Sequence, residues 1–469
     1  MKGTKIAVAA VFALMSGRVY AFHSGGVAEC EGCHTMHNSS AESVEPFAPQ
    51  MTLNNLAVGQ TNPFLLQGQD QSSTCLRCHS NKPPGSYHIL SADQANKLNA
   101  LDPTQLNYTP GGDFAWTLNK WSYTGYEGPA DQAGERAGHN VKALDFSMNL
   151  DARQAPPGSG TNGADIGWDG TNFACTSCHD PHGRYRYTSS TAGTFVTSGP
   201  AITGSGSYAD SRGGAINYAS KITATATVGA YRILGGQGYV PKSGNGPSAG
   251  FLNSPPIALA PSTYNISESP SGTLGRWAAQ VQVAYGQGMS EWCSNCHPKM
   301  HSNTIEGATV TGLTKHPAGN SAKFNSAMQA NYNGYISSGN FNGTLTDQYD
   351  ALVPFEQGSS DLDAIKTGAN KPGYNNAYVP VVANASSNVM CLSCHRAHAS
   401  AFNFSTRWYN DQEFVTTTGS TYTGWALAKG PNTSGAMNAT VTQAGYYQRP
   451  YSIYGGYQRS LCNKCHGKD

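Results

Sequence analysis

Hydrophobic residues in this chain keep a helical or strand-like period only over short distances. Apolar positions recur at helical spacing in four segments of two or three turns each. These predicted helices are Ser91–Leu101, Leu274–Tyr285, Ala322–Tyr332 and Asp361–Thr367. Strand-like runs are also short, as in Lys221–Val228 and Tyr378–Val382. The pattern predicts a mostly irregular chain with short α-helices and very little β structure.

The first 21 residues have the pattern of a signal peptide. Lys2 and Lys5 precede the apolar run Ile6–Met15, and a Val-Tyr-Ala cleavage sequence ends at Ala21. Ten apolar residues are too few to span a bilayer, and no later stretch is long enough. We therefore expect an exported protein without a transmembrane segment, whose mature form is a single domain of residues 22–469.

Composition favours loops and argues against nucleic acid as a partner. Charged residues make up 12% of the chain, about half the usual share, while Gly occurs 54 times and Tyr 25 times. Loss of Lys2, Lys5 and Arg18 with the signal peptide reduces 29 basic side chains to 26, against 28 acidic ones. The mature chain then has a net charge of −2, the wrong sign for binding phosphate backbones.

All twelve cysteines lie in C-x-x-C pairs, and a histidine follows each pair directly. The six motifs are Cys30/Cys33/His34, Cys75/Cys78/His79, Cys175/Cys178/His179, Cys293/Cys296/His297, Cys391/Cys394/His395 and Cys462/Cys465/His466. In such a motif the two thiols bind the vinyl groups of a c-type haem, and the imidazole binds its iron. Zinc knuckles and redox disulfides do not require this histidine. The sequence predicts six covalent haems.

The six motifs are spread along the whole chain without a regular period. Their first cysteines are 45, 100, 118, 98 and 71 residues apart, which excludes a repeat of uniform length. Planar haems supply much of the apolar surface that a core needs. We expect a single multihaem cytochrome c domain, in which loops and short helical turns at each motif surround a chain of six haems.

Eight further histidines are available as sixth ligands for the six irons. Three of them, His37, His182 and His398, follow a motif histidine after three residues. On a helical turn, residues three apart point to the same side, so each would serve a neighbouring haem. The other candidates are His139, His316, His88, His301 and His23. Two histidines per iron give a low-spin site suited to electron transfer rather than to substrate binding.

Longer blocks of sequence resemble a known family. They include FHSGGVAECEGCHTMHNS at 22–39, together with PGGDFAW, GERAGHN, CHDPHGRYR, VGAYRILGG, VAYGQGMSEWCSNCH, HPAGN, CLSCHRAHAS and LCNKCHGKD. The chain is similar to the outer-surface hexahaem c-type cytochromes of the OmcS type, which polymerise into extracellular filaments that conduct electrons. The blocks extend along the mature chain and cover about a third of it.

This resemblance implies closely packed haems, little regular secondary structure and head-to-tail polymerisation at the cell outer surface. In the family, the histidine corresponding to His37 ligates the fifth haem of the next subunit, here the haem of Cys391 and Cys394. Other redox cytochromes and extracellular acceptors would be the electron partners.

Two other functions are compatible with the motifs alone. One is a soluble monomeric periplasmic electron shuttle. The other is a multihaem nitrite or hydroxylamine reductase, which needs an iron with an open face and commonly a modified motif such as C-x-x-C-K. That modified motif does not occur in the chain. We therefore expect an electron carrier and not an enzyme.

Overall fold

The computed structural model describes the backbone of all six cysteine pairs and the segments that surround them. The described residues are 30–34, 63–80, 88–91, 106–109, 111–118, 121–125, 128–132, 137–148, 155–181, 186–187, 195–196, 228–229, 234–242, 244–259, 284–300, 309–310, 313–314, 316–338, 354–359, 386–410, 413–418, 423–428, 437, 439–448, 451, 460 and 462–465. All structural statements below concern these residues.

The described helices are short, and most of the α-helices contain cysteines of a motif. The α-helices are α1 (Cys30–Cys33), α2 (Gln71–His79), α3 (Ala115–Leu118), α4 (Met289–Cys293), α5 (Ser326–Ser338), α6 (Cys391–Cys394), α7 (Ala439–Gly445) and α8 (Cys462–Cys465). The 3-10 helices are Pro63–Leu65, Leu144–Phe146, Thr161–Ile166, Cys175–Ser177 and Asn403–Ser405. Each cysteine pair thus begins or lies within a helical turn, as predicted.

The described strands form small antiparallel sheets at separate places in the chain. They are β1 (Trp121–Gly125), β2 (Gly128–Gln132), β3 (Trp168–Asp169), β4 (Arg186–Tyr187), β5 (Phe195–Val196), β6 (Val228–Gly229), β7 (Gly246–Pro247), β8 (Ile257–Leu259), β9 (Ala284–Gln287), β10 (Thr309–Val310), β11 (Leu313–Thr314), β12 (Thr416–Thr418) and β13 (Thr423–Trp425). The β5-β4-β6 sheet has three strands, and β1-β2, β3-β7, β8-β9, β10-β11 and β12-β13 have two each. Loops with short helices and little sheet are the architecture that the sequence predicts.

Aromatic side chains form much of the described core. Tyr446 stacks on Trp425 with 4.0 Å between ring centres and 15° between planes, and it also contacts Trp408 and Phe402. All four residues are almost completely buried. Aromatic pairs of this kind contribute about 0.5–1.5 kcal/mol beyond the burial of their surface. The cluster stabilises the segment that follows Cys394 despite the scarcity of regular secondary structure.

Two of the predicted helices differ from the structure where it describes them. The predicted helix Leu274–Tyr285 is wrong at its end, because residues 284–287 form β9, which pairs with β8. The predicted helix Ala322–Tyr332 begins later, at Ser326, where the Asn325 side chain caps it by accepting a hydrogen bond from the Met328 N–H at 2.9 Å. Residues 322–324 instead hydrogen-bond to the segment before Cys391.

The other predicted elements fall largely or wholly outside the described residues. Residue 91 is described as irregular, whereas 92–101 and the segment Asp361–Thr367 are outside. Val228 begins β6, while residues 221–227 and 378–382 are outside. The signal peptide 1–21 lies outside as well. Within the described part of the chain, no helix is long and apolar enough to cross a membrane.

Candidate haem-binding sites

Each motif is preceded or followed by a chain segment that ties it to the rest of the fold. In α2, the Asp70 carboxylate caps the helix by accepting hydrogen bonds from the Ser73 N–H at 2.7 Å and from the Ser73 hydroxyl. At the other end, the Ile89 N–H donates to the His79 carbonyl at 2.8 Å. A similar hydrogen bond follows the third motif, from the Gly235 N–H to the Cys178 carbonyl at 2.8 Å.

The structure brings the motifs together in chain order. The side chains of Cys75 and Cys175 adjoin each other, as do those of Cys293 and Cys391. Cys33 also lies near Cys75, Cys178 lies near Cys296, and Cys394 lies near Cys465. The six attachment sites therefore form a row from the first motif to the sixth.

Three of the motif histidines are oriented by hydrogen bonds from their rings to main-chain carbonyls. The Nδ1 atoms of His34, His297 and His395 lie 2.8, 3.0 and 2.8 Å from the carbonyl oxygens of Phe64, Pro157 and Phe404. A carbonyl only accepts hydrogen bonds, so Nδ1 is protonated and the lone pair is on Nε2. This tautomer presents Nε2 to a metal.

Two pairs of histidines from distant parts of the chain face each other. The ring centres of His139 and His297 are 6.1 Å apart, and those of His179 and His398 are 6.4 Å apart. A metal–imidazole bond is about 2 Å long and the ring centre lies ~1.1 Å behind its nitrogen, so two axial ligands of one metal have ring centres about 6.2 Å apart. Both pairs have the separation of two histidines on opposite faces of a haem iron.

The full length of the chain matches a known cytochrome. It is 43% identical to the C-type cytochrome OmcS of Geobacter sulfurreducens, and the match covers 100% of both chains. This chain belongs to the OmcS family of c-type cytochromes. No general protein-family model matches it.

Solved structures of OmcS give the same result. The fold matches the cryo-EM structure of OmcS nanowires from Geobacter sulfurreducens with a TM-score of 0.72 and 41% identity, covering 96% of this chain and 100% of that one. A second structure, of the outer membrane cytochrome S filament, matches with a TM-score of 0.70, at the same identity and coverage. As a member of the OmcS family, the chain is an electron carrier with six c-type haems and is not an enzyme.

The surroundings of the ligands fit a haem. The rings of His139 and His395 have accessible edges and yet are enclosed by protein, as expected for side chains that face an internal cleft. Burial lowers the pKa of both imidazoles. Burial, followed by the neighbouring His139, lowers the pKa of His297 to about 4. These imidazoles are neutral at physiological pH, which is the form that ligates iron.

The segments that carry His139 and His398 are joined to each other. Gly138 and Ala399 form an antiparallel bridge, in which the His139 N–H donates to the His398 carbonyl at 2.9 Å. A Cβ atom added to Gly138 would lie 2.1 Å from the His398 carbonyl oxygen, so only glycine allows this approach. The His398 ring stacks on the buried Phe114, with ring centres 4.8 Å apart.

The helical-turn geometry that the sequence predicts after a motif does not occur at His398. Helix α6 ends at Cys394, and His395 has extended backbone angles, φ −112° and ψ 161°. His398 nevertheless lies beside His179, which belongs to another motif. The segment reaches it because the His398 N–H is bound to the Gly111 carbonyl at 2.7 Å.

Two other candidate ligands, His88 and His316, also lie within the described residues. His88 precedes Ile89, whose N–H is bound to the His79 carbonyl. His316 is exposed, and its Nδ1 donates to the Pro317 carbonyl at 2.8 Å. Five candidate or motif histidines lie outside the described residues, namely His23, His37, His182, His301 and His466.

Residues that position the ligands were not identified from the sequence. Phe64 and Phe404 present their carbonyls to motif histidines from left-handed backbone conformations, with φ 71° and 59°. A phenylalanine rarely adopts such angles, and no residue pattern predicts them. By contrast, Ser72 and Ser290 each stand three residues before the first cysteine of a motif, a repeated spacing that is visible in the sequence.

Proposed function

We propose that this chain assembles head to tail into an extracellular filament that carries electrons along its row of haems to external acceptors. The observation that supports this proposal most directly is the order of the attachment sites. They adjoin one another from the first motif to the sixth, so the row has a beginning and an end that can continue into neighbouring subunits. The OmcS structures that the chain matches are filaments.

The paired histidines support a specific ligand assignment. His179 and His398 would hold the haem of Cys175 and Cys178, because their rings have the required separation. For the same reason, His297 and His139 would hold the haem of Cys293 and Cys296. When bound, the haems supply reversible one-electron chemistry.

The protein positions these haems and keeps their irons closed to substrates. Two neutral imidazoles on one iron leave no open coordination position, which suits electron transfer. The ligands also cross between motifs, since His398 follows the fifth motif and serves the third. Such crossing ties together two attachment sites that stand two places apart in the row, and so keeps this part of the row compact. Short distances between neighbouring haems favour rapid electron transfer.

A bond from the first motif of one subunit to the fifth haem of the next would bring the start of one row close to the end of the other. The resemblance to OmcS-type cytochromes implies that His37 would bind the iron of the Cys391/Cys394 haem in the next subunit. A coordination bond of this kind gives a head-to-tail contact that does not close on itself, and such contacts produce open filaments.

Electron microscopy of the purified holoprotein tests the proposal directly. Micrometre-scale filaments with a regular subunit repeat are the expected result. A single monomeric species by light scattering, with six haems attached and no filaments over a range of concentrations, would support a soluble shuttle instead.

A further inference from the structure

A buried serine joins the second attachment motif to the third. Ser72 lies in α2, three residues before Cys75, and its side chain is completely buried. Its hydroxyl oxygen accepts a hydrogen bond from the backbone N–H of Cys175 at 3.1 Å. The Cys75 side chain adjoins that of Cys175. One helical turn of the second motif therefore holds the first residue of the third motif through the Ser72 hydroxyl.

The same arrangement recurs between the fourth motif and the fifth. Ser290 lies in α4, three residues before Cys293, and it is also completely buried. Its hydroxyl oxygen accepts a hydrogen bond from the Cys391 N–H, again at 3.1 Å. The side chains of Cys293 and Cys391 adjoin each other as well. Two unrelated parts of the chain have thus adopted the same contact.

Helix geometry explains why a serine at this spacing is suited to the task. Residues three apart lie on one face of a helix, so the serine hydroxyl and the first cysteine of its motif face the same neighbour. The N–H at the start of a helical turn has no acceptor within that turn. A buried N–H of this kind needs a partner, and the serine provides it across the boundary between motifs.

Two other serines make a comparable bond that stays within one motif. Ser177 accepts a hydrogen bond from the Ala174 N–H at 2.9 Å, and Ser393 accepts one from the Met390 N–H at 3.1 Å. Both are almost completely buried. The Ser393 hydroxyl also donates to the Pro354 carbonyl at 2.6 Å, outside any motif. Neither serine connects two haem sites, so both serve as controls, and Ser177 is the closer match.

We propose that Ser72 and Ser290 are positioning residues that set the offset between the two haems of each adjoining pair, and thereby the rate of electron transfer within that pair. The inference rests on the proposed electron-transfer function and on haem attachment at these motifs. Because the thioether carbons attach each haem at its cysteines, a shift of one first cysteine against the other shifts one haem against its neighbour.

The test compares Ser72→Ala, Ser290→Ala and the double variant with the native holoprotein. Intact mass first establishes that six haems are attached, and the oxidised absorption spectrum establishes that they are low-spin. Circular dichroism in the Soret band then reports the mutual orientation of close haems. Each single variant is expected to lower the amplitude of the exciton couplet, and the double variant to lower it by the sum, because the two sites are independent.

The rate of electron redistribution after partial photoreduction gives a second measurement. It should fall in the same variants, while Ser393→Ala and Ser177→Ala leave both the couplet and the rate unchanged. If Ser72→Ala does not assemble with six haems, Ser290→Ala tests the proposal at the other pair.

Two results would overturn the proposal. One is a native couplet and rate in the double variant. The other is an equal loss in Ser393→Ala, which would show that any lost buried hydroxyl has this effect. Fewer than six haems in the native protein would instead contradict the proposed function, so the two failures are distinguishable.

Discussion

The backbone N–H of His139 donates a hydrogen bond to the carbonyl oxygen of His398 at 2.9 Å. The two rings face different motif histidines, His297 and His179, which belong to neighbouring attachment sites. A single backbone contact thus positions candidate ligands for two irons. The His139 Nδ1 also donates to the Ala397 carbonyl at 2.6 Å, although these residues are 258 positions apart in sequence.

Gly138→Ala is expected to disturb both ligands at once. The added Cβ would lie 2.1 Å from the His398 carbonyl oxygen and 2.6 Å from the Ala399 Cβ, so the bridge must open. We expect six attached haems, of which two acquire a high-spin component in the oxidised state, measured by resonance Raman or electron paramagnetic resonance spectroscopy.

Gly238→Ala is the control for this experiment. Gly238 has a φ of 80°, and an added Cβ would have nothing within 4 Å. The substitution costs about 1–2 kcal/mol through backbone strain alone. If it produces the same high-spin signal as Gly138→Ala, general destabilisation and not the His139–His398 bridge is responsible.

His37→Ala is expected to abolish or greatly shorten filaments while six haems remain attached. Removal of the proposed intersubunit ligand leaves the Cys391/Cys394 haem without its sixth ligand and deprives the subunit contact of a coordination bond. Electron microscopy and haem quantitation measure the two effects. His182→Ala is the comparison, because it should alter redox properties more than assembly. Normal filaments of His37→Ala with six low-spin haems would rule out His37 as the bridging ligand.

Stability should fall as pH rises because of a buried carboxyl group. Burial raises the pKa of Glu356 to about 8 from an ordinary value of 4.5, although its Oε1 accepts a hydrogen bond from the Met289 N–H at 2.6 Å. Between these two values the folded state binds more protons than the unfolded state. The free energy of unfolding therefore decreases with pH, by at most about 1.4 kcal/mol per pH unit from this group.

Glu356→Gln should flatten that dependence. The amide oxygen can still accept the Met289 N–H bond, but the side chain no longer titrates. Denaturant midpoints measured at intervals between pH 5 and pH 9 test this, with the native protein expected to lose stability towards pH 9 and the variant to lose less. Parallel curves for the two proteins would mean that Glu356 is ionised in the folded state.

The mature protein is predicted to begin at Phe22 and to carry six covalent haems, all low-spin. The six motifs are complete, and eight further histidines are available for six irons. Intact mass should equal the chain from Phe22 plus six haems, and the oxidised protein should not bind cyanide rapidly. A retained N-terminus or a native high-spin haem would contradict this prediction.

The sequence alone was sufficient for properties that depend on local chemistry and composition. Haem attachment needs two thiols and an imidazole within five residues, so the number and order of the haems are readable from the chain. Low charge and abundant glycine indicated the loop-rich architecture. The helical turn at each motif is local as well, and the structure contains it.

Tertiary structure decided everything that depends on distant contacts. Residues 284–287 join β8 and not a helix because their hydrogen-bond partners are supplied by residues 257–259, which a periodicity within one segment cannot reveal. In the same way, the His398 ring lies opposite the His179 ring because Gly111 and Gly138 let their chain segments approach His398 more closely than a side chain would allow. The sequence offers eight spare histidines for six irons, and only packing determines which imidazole faces which motif.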